Sequence, residues 1–489
     1  MAGDTREEAS LNIPRHLKYW QRCLRSILPS VYQSNEGNRL ALSYFIVNSI
    51  AILTPDKSEN EKLISPDERR ALREWVLSHQ HGQGGFCGTS TLTFPLHAYD
   101  EWDFDSKKPE TEHSGLANIA ATIFALQLLA LLSDDDDVFR GVDRVRTLRW
   151  LRRLQREDGS FGEVLRELPG RGWFIGGGSD MRYCYIAASI RWFLRGDVKE
   201  GEPGWVEDFD TDGLARYILN SQTYDGGFAA SSQEEPHAGY AYCAIAALSL
   251  LSRPLTANSH PSQSIPAITS QVRSLPTTIH WLASRQFIHS YEEKGKPPPE
   301  SDSDDEEEEN NHPLPSPDSL LPLYTSPDYT TSSCYTIGFN GRCNKKPDTC
   351  YYWWVGGALS VLGLLSPSSE SSPSTLPSLI CTEPSRRFLL EKTQHIIGGF
   401  GKTPGAPPDL YHSCFGLAIL ALMGEKGLAE LDGALALPTG VVRRIEKSRG
   451  RLVERAKQQE GTLGRAGKEM VGMGLELLSS GKKPAWLTG

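Results

Sequence analysis

The chain has 489 residues, 39% of them hydrophobic and 23% charged, with a formal net charge of −10 at neutral pH. That balance is ordinary for a globular protein and offers no basic surface for a nucleic-acid partner. The N-terminus, MAGDTREEASLNIPRH, lacks the apolar core of a secretion signal, and the nine cysteines are scattered, several (Cys184, Cys243, Cys414) within apolar runs. Such usage fits reduced thiols and a cytoplasmic location better than a disulfide framework.

Residues 1–38 read as an N-terminal segment, and RLALSYFIVNSIAIL (39–53) as the first apolar helix. A charged amphipathic helix follows, DERRALREWVLSHQ (67–80), ending at Gln80 before a Gly-rich turn, Gly84–Phe86. The next apolar helix is ANIAATIFALQLLALL (117–132). It lies in an uncharged stretch, Ser114–Ser133, about the length of a membrane span. Asn118, Gln127 and the recurrence of similar helices make it a core helix instead. SDDDD (133–137) reads as a solvated turn, and VDRVRTLRWLRRLQ (142–155) as a second charged helix ending at Gln155 before Asp158–Phe161. The unit recurs at Gln222 with Asp225–Phe228 and at Gln394 with Gly398–Phe400, while Gln286 has its partner Gly338–Phe339 displaced. The displacing segment, about 288–335, holds ESDSDDEEEENN, a composition that cannot bury a core and predicts a disordered insertion. Apolar helices after the turns complete the set at 183–194, 239–251, 351–365 and 411–424.

Apolar helices alternating with charged ones predict two concentric layers. The expected fold is all-α, an α/α toroid over 39–425 with a six-helix inner barrel, outer helices and a central cavity; strand signals are sparse. Residues 426–489 read as a basic helical tail, with RRIEKSRGRLVERAK (443–457) an exposed helix.

Polar chemistry concentrates in GFNGRCNKKPDTCYYWW (338–354), at the start of the fifth inner helix. Asp348 and Cys350 suit either a helix cap and a buried thiol or two metal ligands. His412 opens the next inner helix, whose N-terminal end lies on the same rim, and Asp, Cys and His together make three ligands with a vacant fourth position. Arg342, Lys345, Tyr351 and His237 at neighbouring helix N-termini suit either a charged rim or a diphosphate site, where dipoles and cations add. Tyr185, Tyr240, Tyr242, Trp353, Trp354 and Gly357 suit either core or the wall of an apolar tube.

The Gln-then-Gly-Gly-Phe repeats and the Arg-Cys-Asn-Lys block with its following Asp-x-Cys-Tyr resemble the β subunits of protein prenyltransferases, from about Arg39 to Met423. The resemblance implies an α/α toroid that carries one zinc ion on Asp348, Cys350 and His412. It also implies a diphosphate held by His237, Arg342, Lys345 and Tyr351, with a lysine from an obligate α-subunit partner. Arg182 matches the arginine near the isoprenoid and the peptide carboxylate; Phe45, Tyr185, Tyr240, Cys243, Trp354 and Tyr411 join it in the expected pocket. Two positions point within the family to type I geranylgeranyl transfer. Ala41, four residues before Phe45, stands where farnesyl enzymes close the tube's floor with Trp. Lys402, ten residues before His412, stands where farnesyl enzymes carry Asp and need Mg²⁺, so Mg²⁺ is not expected to be required. The substrates implied are geranylgeranyl diphosphate and the C-terminal CaaX cysteine of small GTPases, mostly ending in Leu. Tyr411 is the residue associated with farnesyl enzymes, which keeps farnesyl transfer as the rival. A terpene cyclase or a non-catalytic toroid is more remote.

Overall fold

A computed structural model of the chain describes residues 10–88, 116–168, 172–255, 272, 274–290, 335–343, 345–365, 379–455 and 458. Six inner helices form its centre: α2 (Arg39–Leu53), α4 (Ile119–Leu131), α6 (Met181–Leu194), α8 (Ala238–Ser252), α10 (Thr349–Val361) and α12 (Leu410–Leu422). They are apolar on every side and therefore buried on nearly every side. Each packs on the next, and α12 packs on α2, which closes the barrel. Outside them run amphipathic helices: α1 (Ile13–Arg25), α3 (Pro66–Leu77), α5 (Arg144–Arg153), α7 (Thr211–Asn220), α9 (Leu275–Ala283) and α11 (Thr382–Arg387, continued by a π-helical turn over Phe388–Thr393). The architecture is an α/α toroid.

The repeated glutamine fastens each outer helix to the next. Gln80 Oε1 accepts from the N–H of Asp143, the N-cap of α5, and Gln155 Oε1 from the N–H of Asp210, the N-cap of α7, both at 2.8 Å. Gln286 Oε1 accepts from Cys381 N–H at 3.0 Å, at the N-cap of α11. Gln222 Nε2 donates to Thr278 Oγ1 (2.9 Å) in the first turn of α9. The glycines fit the same junctions. Gly84, Gly159, Gly226 and Gly398 all have φ between +90° and +111°, and a Cβ on any of them would strike the backbone of the next outer helix's third residue.

The last glutamine decides where the ring closes. Gln394 Oε1 accepts from Asn12 N–H (3.1 Å), the N-cap of α1, and Gly398 packs on Arg15. The expected N-terminal segment is therefore part of the toroid, supplying the sixth outer helix. Buried His16 takes Gly399 N–H on Nδ1 (3.1 Å) and meets Gln394 through Nε2 (3.0 Å), and burial lowers its pKa to about 4 despite the Gln394 bond.

Short strands, more than the sequence suggested, line the turns. Phe86–Cys87 (β1), Ala117–Asn118 (β2), Val164–Leu168 (β3) and Gly172–Gly176 (β4) make one antiparallel sheet. Two- and five-residue strands are too brief for an alternation signal. Gln286–Ser290 (β5) pairs with Tyr335–Phe339 (β6), Gln286 opposite Phe339, so the fifth repeat is restored across the insertion as expected. The acidic stretch itself, 291–334, lies outside the described residues.

The C-terminal segment departs most from expectation. Leu431–Asp432 (β7) and Leu437–Pro438 (β8) form a hairpin whose turn enters the barrel. There Tyr44 and Asn48 donate to Ala436 O (3.1 and 2.9 Å), Gln127 to Leu435 O (3.3 Å) and Tyr185 to Ala434 O (2.8 Å). Each buried side-chain donor thus meets a turn carbonyl, as burial demands. A further helix, α13 (439–455), is not the exposed tail expected: Val441, Val442, Ile445, Leu452 and Val453 are buried. Its cations meet the acidic run thought only to solvate a turn, Lys447 and Arg451 against Asp136 (3.8 and 3.6 Å) and Arg455 against Asp137 (2.6 Å). Arg449 is buried over the Trp192 ring (4.5 Å) and donates to Trp192 O (2.8 Å); burial lowers its pKa to about 10. Residues beyond 458 lie outside the described part.

Candidate active site

Two helix starts build the donor cluster. Asp348 caps α10 by accepting Cys350 N–H (2.8 Å), and Asp409 caps α12 by accepting His412 N–H (2.8 Å). Thr349 ties the α10 start to the following repeat, its N–H donating to Lys402 O (2.9 Å) and its hydroxyl to Gly401 O (2.6 Å). In consequence Asp348, Cys350 and His412, all buried, bring an oxygen, a sulfur and a nitrogen to within 4.8 Å of one another. The two roles open for Asp348 are compatible: the carboxylate that caps α10 also faces His412, with Oδ1 at 3.1 Å from Nε2.

Asp348 and His412 stabilise each other's charge, and the buried thiol beside them stays protonated. Burial, then the Asp348 carboxylate, push the Cys350 thiol well above its usual range. Burial opposes a charge on His412, yet Asp348 and Asp409 outweigh it and raise the imidazole to about 9. Burial likewise works against the Asp348 charge, but its bond to His412 holds it below the ordinary value. The donor set suits Zn²⁺, and Asp409 Oδ2, 2.6 Å from His412 Nδ1, holds the imidazole with Nε2 toward Asp348.

Beside the cluster stands a polar group on α8 and the loop before α10. His237 caps α8 by accepting Gly239 N–H on Nδ1 (3.0 Å), which leaves the Nε2 proton as its donor. Burial, followed by Arg342, lowers its pKa to about 4, so it is neutral near pH 7. Gly341 O accepts Ala238 N–H (2.8 Å), and a Cβ at Gly341 would run into Tyr351 and His237. Only glycine lets this loop reach the two rings, whose centroids are 5.5 Å apart. Arg342 follows, ion-paired with Glu235. Lys345 and Lys402 are exposed, and the Lys402 carbonyl fixes that residue beside the α10 start. Arg182 forms a two-pronged pair with Asp180, the cap of α6 (Nε–Oδ1 3.0 Å, Nη2–Oδ2 2.6 Å).

The residues expected to wall the pocket, Ala41, Phe45, Tyr185, Tyr240, Trp354 and Tyr411, are all partly exposed and lie in the first half of the inner helices. Phe45 touches Tyr411, Phe415 and Phe124, at 5.8 to 6.0 Å between centroids. Trp354 lies on Phe415 (4.8 Å) and Tyr242 (5.2 Å). Trp353, Tyr242 and Gly357 are core rather than wall, because Trp353 and Tyr242 pack on each other (5.6 Å) and a Cβ at Gly357 would meet Tyr242. Cys243 is buried, and desolvation raises its pKa. Ala41 stands in the first turn of α2.

Four participants escaped the sequence: Asp409, Glu235, Phe124 and Phe415. Asp409 had a signal, three residues before His412 at a helix start; Glu235 had none, since its partner is 107 residues away. Among the described residues no disulfide occurs, and no helix is long and apolar enough to cross a membrane.

The comparisons agree with this geometry. A family model described as the prenyltransferase alpha-alpha toroid domain matches residues 11–437. The chain is 28% identical to the geranylgeranyl transferase type-1 subunit beta of Arabidopsis thaliana, over 88% of this chain and 90% of that one. It is 27% identical to the protein farnesyltransferase subunit beta of Pyricularia oryzae, over 83% of this chain and 62% of that one. A solved structure of Candida albicans protein geranylgeranyltransferase-I complexed with GGPP superposes with a TM-score of 0.63 at 25% identity, covering 90% of this chain and 99% of that one.

Proposed function

The chain belongs to the prenyltransferase alpha-alpha toroid family, and from that premise we propose that it is the catalytic β subunit of a type I protein geranylgeranyltransferase. It transfers geranylgeranyl from its diphosphate to the cysteine thiol of C-terminal CaaX sequences, mostly ending in Leu, on small GTPases, in the cytoplasm and in a heterodimer with an α subunit. The observation that carries the reading is the junction of three features on one rim: the Asp348, Cys350 and His412 donors, the His237–Tyr351–Arg342 group and the aromatic lumen.

Asp348, Cys350 and His412 hold one Zn²⁺, which when bound lowers the pKa of an incoming thiol and presents it as thiolate. Asp409 keeps the His412 proton on Nδ1. Neutral His237 donates from Nε2, Tyr351 from its hydroxyl, and Arg342, Lys345 and Lys402 set positive charge where the leaving diphosphate gains negative charge. Donors preorganised in this way are worth roughly 3–4 kcal/mol each. Phe45, Tyr185, Tyr240, Trp354 and Tyr411 exclude water around the lipid, and Arg182 lies beside the peptide end.

Lys402 takes the place of Mg²⁺. Farnesyl transfer is the second reading, favoured by Tyr411 and by the similarity to a farnesyltransferase subunit. The test is the heterodimer in buffer free of Mg²⁺, given geranylgeranyl and farnesyl diphosphate in competition for a peptide ending in Leu, with zinc content measured in parallel. Geranylgeranyl transfer with about one zinc per heterodimer is expected. Farnesyl transfer that depends on Mg²⁺ would overturn the lipid assignment and leave the zinc site standing.

A further inference from the structure

Arg342 already has an anionic partner. Its Nη1 is ion-paired with Glu235 Oε2, with side-chain exposures of 29% for Arg342 and 55% for Glu235. Both ends of the pair are anchored. Glu235 precedes Pro236, which packs against Gly227, and His237 N–H donates to Phe228 O (3.0 Å). Arg342 follows Gly341, whose carbonyl accepts Ala238 N–H (2.8 Å), and Asn340 N–H donates to Arg285 O (3.1 Å). The pair therefore joins two side chains whose backbones are pinned, and it places a carboxylate against Arg342.

We propose that Glu235 competes with the lipid diphosphate for Arg342, so that its carboxylate occupies the guanidinium in the lipid-free protein and is displaced when diphosphate arrives. The inference rests on the diphosphate role of Arg342 given above. A carboxylate held there weakens diphosphate binding twice, by partly neutralising Arg342 and by repelling the phosphate oxygens. Because Glu235 is more than half exposed, solvent screens both effects, and the expected penalty is about 3- to 10-fold in affinity. The same competition returns Arg342 to Glu235 when inorganic diphosphate leaves, which favours product release.

A double-mutant cycle on the full heterodimer separates competition from a merely structural bond. Geranylgeranyl diphosphate affinity is measured for the unmodified enzyme, Glu235→Gln, Arg342→Gln and the double variant, with inorganic diphosphate as a second probe. Glu235→Gln is expected to tighten both ligands about 3- to 10-fold and to lower KM for the lipid without raising kcat. In the Arg342→Gln background the same change is expected to alter affinity less than about 2-fold, because the shared partner is gone. Unchanged or weakened binding in Glu235→Gln, with Glu235→Ala behaving alike, would overturn the competition. No binding of either diphosphate by the unmodified heterodimer would instead defeat the functional reading beneath it.

Discussion

Replacing Asp409 by Asn isolates the carboxylate behind the metal ligand. Asp409 does two things at once: Oδ1 accepts His412 N–H (2.8 Å) and Oδ2 meets His412 Nδ1 (2.6 Å). Asparagine keeps the first bond, because its carbonyl caps a helix as well as a carboxylate does. It loses the second, since a side-chain N–H2 then faces Nδ1. The imidazole must turn, or move its proton to Nε2, the nitrogen that lies 3.1 Å from Asp348 and faces the cluster. Loss of such a supporting carboxylate lowers metal affinity about 10- to 100-fold, equivalent to roughly 1.4–2.7 kcal/mol. Zinc affinity is read by competition against a chromophoric chelator at constant pH, with helicity and melting temperature followed in parallel. The expected result is weaker zinc binding by the stated factor with the fold intact. Zinc affinity within 2-fold of the unmodified protein would refute the assignment of Asp409, and with it the orientation of His412 argued here.

Four further outcomes are expected. In zinc-free protein His412 titrates near 9, above its unfolded value of 6.5, so its stabilisation is complete below about pH 6.5 and is lost as pH rises through 9. That is a loss on the order of 3 kcal/mol, to be read from urea midpoints in chelator at pH 6 and 9.5; equal midpoints contradict it. Zinc affinity should rise over the same range, because the metal displaces the His412 and Cys350 protons. Ending the chain after Pro438 removes five buried aliphatic side chains of α13, each worth about 1.5–3 kcal/mol at most, and the shortened protein should not fold cooperatively. An unchanged melting curve would return α13 to the status of an exposed tail. Ala41→Trp should shift lipid preference toward farnesyl in a competition assay, and an unaltered preference would show that the floor of the tube lies elsewhere.

Much of this protein is legible without its tertiary structure, for local reasons. Helices that are apolar all round have nowhere to go but an interior, so 39–53, 117–132 and their four counterparts declare the inner barrel. The Gln-to-Phe rhythm places the turns, and its interruption between Gln286 and Gly338 locates the insertion correctly because β5 and β6 pair in the register the repeat requires. Asp348, Cys350 and His412 could be gathered because each opens an inner helix, and adjacent parallel helices start on one rim. The Arg342–Tyr351 block is continuous in sequence, so its crowding was visible too.

What only the tertiary structure decided depends on closing the ring. Gln394 finds Asn12 across 382 residues, and no local pattern says that α1 rather than a segment after α12 supplies the last outer helix. The basic helix α13 and the SDDDD run each look solvated alone; their complementarity exists only once the barrel brings Asp136 and Asp137 beside Lys447, Arg451 and Arg455. The 434–436 turn is short and unremarkable in sequence, yet its carbonyls accept from Tyr44, Asn48, Gln127 and Tyr185, donors on three inner helices. Sequence fixes which faces must be buried and where the chain must turn. The depth of the lumen and the company kept by each charge follow from long-range contacts that form only when the toroid shuts.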